Sequence, residues 1–213
     1  VKTDDLISLL ATETPAVDRR VPSRRFAAAV LVGLGAALLL MVAGLGLRPD
    51  LGQAIRLPMF WLRLAYPVAI AATAFLVVLR LARPGAHVGV RWVALGAAPL
   101  GALAAMACVL AGAPEGTRIA MWLGHTWKVC PVLIAVLSAP TFAAMLWAVR
   151  GMAPVRPRLA GAATGLFAGA VATTAYCLHC PEMAPPFWAF WYLVGMLLPT
   201  ALGALAGPRW LRW

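Results

Sequence analysis

FAAAVLVGLGAALLLMVAGLGL, residues 26–47, contains no charged side chain. An α-helix needs roughly 20 apolar residues to cross about 30 Å of hydrocarbon, so this stretch reads as a membrane span. Five further apolar runs follow, at residues 59–79, 92–113, 129–149, 159–178 and 187–207. They are continuous rather than alternating, which selects helices over a β-barrel. The expected fold is therefore all-α, an integral membrane bundle of six transmembrane helices. The second run is the most interrupted, with Arg63 and Pro67 near its start. The chain is 63% hydrophobic and 12% charged, far from the roughly 45–50% apolar and 25% charged residues of a soluble domain. No cleavable signal peptide is expected, because polar residues precede the first apolar run and that run is long enough to stay in the bilayer.

The charged residues orient the bundle. Thirteen of the 18 Lys and Arg residues fall in the tail ahead of the first span, after the second and fourth spans, and at the end of the chain. Arg48, Arg56, Arg63, Arg118 and Lys128 fall on the other side. The positive-inside rule then places both termini in the cytoplasm. The formal charge of +11 is explained by these topology-setting arginines, so the partner is the lipid bilayer and no direct nucleic-acid binding is expected. Trp61, Trp122, Trp127, Trp188 and Trp191 are expected at the outer interface, and Trp92, Trp147 and Trp210 at the inner one.

The chain divides into a soluble segment, residues 1–25, and a transmembrane domain, residues 26–213. In the first, Thr3 or Asp4 is a helix N-cap, and Leu6, Ile7, Leu9 and Leu10 recur at helical spacing up to Pro15. So short an amphipathic helix is unstable alone in water and suits a partner's groove, with Leu6, Leu9 and Leu10 as anchors. Arg19, Arg20, Arg24 and Arg25 are expected to form a basic collar between this helix and the membrane. In the fifth span Gly161, Gly165 and Gly169 form overlapping GxxxG steps that let a neighbouring helix approach closely. Pro99, Pro140 and Pro199 are expected to kink their helices.

The chemistry concentrates in YCLHCPEMAPPFWAFW, residues 176–191. With the orientation above, Cys108, Cys130, Cys177 and Cys180 all fall near the outer face, together with His125, His179, Glu182 and Met183. Cys108 reads as a small packing residue. Two chemistries suit the rest. Disulfides persist in the periplasm, and Cys130 can pair with Cys177 or Cys180 if the helices bring them together. Alternatively Cys130, Cys177 and Cys180 with His179, His125 and Glu182 make a soft site for Cu or Zn, bound as a signal.

Several landmarks resemble the NrsF family of six-helix bacterial membrane anti-sigma factors, which restrain SigF-like extracytoplasmic-function (ECF) sigma factors. They are KTDDLISLLA (residues 2–11), HTWKVCP (125–131), YCLHCPE (176–182), the Trp191-Tyr192 pair and the closing LRW (211–213). The resemblance implies that the cytoplasmic N-terminal segment binds an ECF sigma factor, with Asp4, Asp5, Leu6, Leu9 and Leu10 as contacts. It also implies that outer cysteines, here Cys130 and Cys180, sense metal ions or oxidants. Cys177 departs from the pattern, where a small non-thiol residue is expected, and adds a third thiol. The resulting expectation is a non-enzymatic stress sensor that sequesters its sigma factor at the membrane and releases it when the cysteines react. CLHC also has the spacing of a redox pair, so the alternative is an integral-membrane thiol–disulfide oxidoreductase. A small transporter is a weaker alternative, because the spans hold no carboxylates for a proton relay.

Overall fold

The computed structural model describes residues 3–12, 20–83 and 85–212. Lys2 and Arg19 of the charge count, Pro15, and Trp213 of the closing motif lie outside the described residues. Among those described, every regular element is a helix: α1 (Thr3–Thr12), α2 (Val21–Gly44), α3 (Leu51–Ala54), α4 (Pro58–Leu81), α5 (Arg91–Gly112), α6 (Glu115–Leu123), α7 (Cys130–Arg150), α8 (Pro157–Tyr176) and α9 (Pro185–Trp210). Six of them, α2, α4, α5, α7, α8 and α9, are long and apolar enough to cross a membrane, in agreement with the six apolar runs. The short α3 and α6 lie in connections that hydropathy alone reads as loops.

Helix starts follow local chemistry. Proline occupies the first or second position of α2, α4, α7, α8 and α9, where its missing N–H costs nothing and its fixed φ favours entry. In α1, Asp4 and Asp5 fall in the first turn, where carboxylates complement the helix dipole. Its Leu6, Ile7, Leu9 and Leu10 are all exposed.

Helix α8 is the bundle's central element, buried along most of its length. It packs against α9 through glycine. A Cβ on Gly161 would strike the Gly203 carbonyl, and one on Gly165 the Pro199 carbonyl; at Gly169 it would come within 2.9 Å of Met196 Cα. Opposite them, Gly203 and Gly207 are equally closed, by the carbonyls of Gly161 and Pro157. The two backbones therefore touch directly, as small-residue helix pairs allow. A second close approach joins α2 to α7. Gly33 has no room for a Cβ beside Thr141, whose Oγ1 donates to the Gly33 carbonyl at 2.9 Å.

Buried side chains form two clusters, one at each end of the bundle. One gathers Phe26, Val77, Leu81, Met145, Phe167 and Leu211 at the end where α2 begins and α9 finishes. The other gathers Cys130, Cys177 and Cys180 with Tyr66, Ile134, Tyr176, Phe187, Trp188, Tyr192 and Met196 at the opposite end.

Two expectations are corrected, and the first span begins earlier than its apolar run, so that Arg24 and Arg25 of the basic collar lie on the first turns of α2. Arg25 stacks on Trp147, 4.0 Å from the ring centroid, and donates from Nη2 to the Trp147 carbonyl at 3.1 Å. A cation that finds an aromatic face and a helix carbonyl can continue the helix rather than end it. Cys108 is exposed, because α5 buries only Ala102 and turns the rest of its surface outward. Trp188 is buried against Tyr66, with ring centroids 5.6 Å apart, rather than standing in the interfacial belt.

The α8–α9 contact is testable. Gly165→Ala should destabilise the purified protein by about 1–3 kcal/mol, the usual cost of overpacking. Gly35→Ala, which meets nothing within 4 Å, should be neutral or slightly stabilising. Thermal unfolding in one detergent compares the two.

Candidate functional site

At its C-terminus α8 passes into a tight turn. The Cys177 N–H donates to Thr173 O, Leu178 to Ala175, and both His179 and Cys180 to Tyr176. A helix end leaves carbonyls without intrahelical donors. Here two arginines supply them. Arg63, on α4 and fully buried, donates from Nη2 to the Cys177 carbonyl at 2.7 Å and from Nη1 to the Cys180 carbonyl at 3.0 Å. Its Nη1 also donates to the Glu182 carbonyl. Arg48, in the α2–α3 connection, donates from Nη1 to the same Cys180 carbonyl at 3.2 Å. Its Nε and Nη2 grip both oxygens of Asp50 at 2.7 Å each. The guanidinium fork suits this job, since it presents several donors at fixed angles. Both cations sit where the helix dipole is negative. The Asp50 carboxyl is held below the ordinary carboxylate range, first by its hydrogen bonds from Arg48.

Backbone contacts complete the seam. The Arg48 N–H donates to the Leu178 carbonyl at 3.1 Å, and His179 Nδ1 lies 2.9 Å from the Gly46 carbonyl. A carbonyl only accepts, so His179 donates to it from Nδ1.

Glu182 faces the other way, toward the segment joining α6 to α7. Its Oε1 accepts from the His125 N–H at 2.7 Å and lies 3.3 Å from His125 Nδ1. Gly124 makes this possible: it sits at φ +56°, and a Cβ there would meet both Phe187 and Glu182 within 2.9 Å. Above the turn, Trp122, Trp127, Phe190 and Trp191 form an aromatic roof, with Trp191 Nε1 donating to the Trp122 carbonyl at 2.9 Å.

The three thiols of Cys130, Cys177 and Cys180 are free and completely buried under this roof. They share one apolar cluster with Tyr176 and Tyr192. The Tyr192 hydroxyl and Trp188 Nε1 are buried with no hydrogen-bond partner among the described residues.

The sequence-predicted residues thus separate into two groups. Cys130, Cys177 and Cys180 converge, with His179 on the seam beside them. His125 and Glu182 pair with each other, His125 nearly fully exposed. Among the described residues no three His, Cys, Asp or Glu side chains are grouped to hold a metal ion. Sequence reasoning missed Arg63, Arg48, Tyr176 and Tyr192. The available signal was Arg63 itself, because an ionisable residue inside an apolar run marks a site by default.

An all-helical bundle with six helices able to span a membrane, and a turn clamped by buried arginines beside three buried free thiols, defines a membrane protein with its thiols enclosed at one end. A family model described as NrsF, negative regulator of sigma F, matches residues 10–213. The chain belongs to the NrsF family. It is 50% identical over 215 residues to the probable anti-sigma-F factor NrsF of Azospira oryzae, covering 100% of both chains. It is 43% identical, again over 100% of both, to the anti-sigma-F factor NrsF of Caulobacter vibrioides. No solved structure matches the chain.

Two outcomes test the clamp. Arg63→Met should cost about 3 kcal/mol or more, since each buried carbonyl left without a donor costs about 1–3 kcal/mol; the exposed Arg56→Met should stay within about 0.5 kcal/mol. Burial of Cys177 gives the second outcome: iodoacetamide at pH 8 should spare this thiol in the folded protein and label it once the protein is unfolded.

Proposed function

We propose that this chain is an anti-sigma factor that holds an ECF-type sigma factor at the bacterial inner membrane through its cytoplasmic N-terminal segment. Oxidation or soft-metal capture at the periplasmic thiols releases the sigma factor. The observation that carries this reading is the buried thiol cluster on a turn fastened by Arg63. Such an arrangement is inert at rest and changes shape when its thiols react. The full-length identity to proteins named anti-sigma-F factors supports the sigma partner. Both termini belong on the cytoplasmic side by the arginine distribution, which leaves the thiols at the periplasmic end.

On this reading the exposed leucines of α1, Leu6, Leu9 and Leu10, dock on the sigma factor, with Asp4 and Asp5 adding charged contacts. At the far end, oxidation joins two thiols, Cys130 and Cys180, into a disulfide. Two protons leave, and two electrons pass to the oxidant. A soft ion such as Cu or Zn would instead be held by thiolates of Cys130, Cys177 and Cys180, with His179 Nε2 as a further donor atom. Either event requires the turn to open, because a buried protonated thiol is a poor nucleophile and ligand. Opening strains the Arg63 hydrogen bonds and so acts on α4, which runs to the opposite end of the bundle. Shifting a held population from 1:99 to 99:1 needs about 5.5 kcal/mol of differential free energy. A disulfide or a multidentate metal site is suited to supply it.

Co-purification of the sigma factor from membranes is the test. Wild type should lose its sigma factor on treatment with copper or a thiol oxidant, while Cys130→Ser/Cys180→Ser should retain it. Leu6→Ala/Leu9→Ala should fail to hold sigma under any condition. Release from the double cysteine variant at the wild-type dose would sink the sensing assignment.

A further inference from the structure

We propose that two adjoining cavities, at the end of the bundle where α2 begins, bind one anionic phospholipid: one of its two acyl chains lies between α2 and α4 and its phosphate headgroup between Arg83 and Arg156. The first cavity, of about 680 Å³, is walled by Phe26, Val30, Phe75 and Leu79, with Ser23 and Arg83 at its rim. The second, of about 370 Å³, is lined by Arg83, His87, Trp92 and Arg156. Arg83 lines both. One compartment is an apolar slot within the span; the other is a basic, aromatic-edged bowl in the α4–α5 connection.

Amphiphile chemistry matches this division. The slot has the size of a small-molecule site and offers almost nothing to a polar ligand. The bowl concentrates positive charge, and both ion pairs among the described residues, Arg48–Asp50 and His125–Glu182, lie at the opposite end of the molecule. Arg83 and Arg156 are exposed. Basic pockets between spans, at interfacial depth, suit lipid phosphates, and Trp92 beside them is the side chain that headgroup regions favour. Gly85 and Gly89, at φ +73° and +58°, turn the connection so that His87 and Arg156 line the same bowl. The site is independent of the thiol cluster, which the α8–α9 contact separates from it along the bundle.

The test uses the full chain in mixed micelles of phosphatidylglycerol and phosphatidylcholine with identical acyl chains, read by native mass spectrometry. Wild type should retain phosphatidylglycerol at least about tenfold over phosphatidylcholine, because each arginine contributes about 1 kcal/mol toward a net-negative lipid, whereas the choline cation balances its own phosphate. Arg83→Ala/Arg156→Ala should bring the ratio close to one while leaving helicity and melting in phosphatidylcholine unchanged. Where that variant fails to fold, Arg83→Gln/Arg156→Gln gives the same reading. Ala27→Trp, which fills the slot without altering charge, should lose both lipids. An undiminished preference in the arginine variants, or full retention by Ala27→Trp, overturns the site. Binding that appears only after Asp4→Asn/Asp5→Asn also overturns it, because the slot would then belong to the chain's own leucine-rich helix.

Discussion

A buried guanidinium with carbonyl partners constrains the rest of this molecule. Arg63 lies inside a span, where an uncompensated cation costs several kcal/mol. It remains because α8 ends there with its carbonyls unsatisfied, and because the turn that follows aims the Cys177, Cys180 and Glu182 carbonyls at it. Removing either side leaves the other exposed to the full desolvation penalty. The turn therefore has one well-determined shape, and that shape buries all three thiols.

The clamp and the glycine seam depend on each other. Arg63 reaches the turn from α4 only because α8 is held in register, and α8 is held by Gly161, Gly165 and Gly169 lying directly on the backbone of α9. Backbone contact of this kind tolerates little sliding. Helix α5, which buries only Ala102, is the loosest member of the bundle.

The two ends of the protein use arginine in opposite ways. At the thiol end Arg48 and Arg63 are buried and spend their donors on carbonyls and on Asp50. At the other end Arg83 and Arg156 are exposed and face cavities rather than carboxylates. The first arrangement stores structural specificity, and the second leaves charge available to the surroundings.

The architecture was legible in the sequence because hydrocarbon imposes a length and a composition on any segment that crosses it. Residues 26–47 alone reveal this, and the starting prolines and the GxxxG steps follow from equally local rules. The gathering of thiols toward one end was also readable, from the parity of the spans. The Arg63–carbonyl clamp, the union of Cys130 with the CLHC turn, the separation of His125 and Glu182 from the thiols, and the exposure of Cys108 were not. Those features depend on which face each helix turns to its neighbours. Almost every residue in these spans is apolar, so periodicity carries little information about facing. Only the tertiary contacts, set by glycine-to-backbone approach and by the need to satisfy a buried guanidinium, decided it.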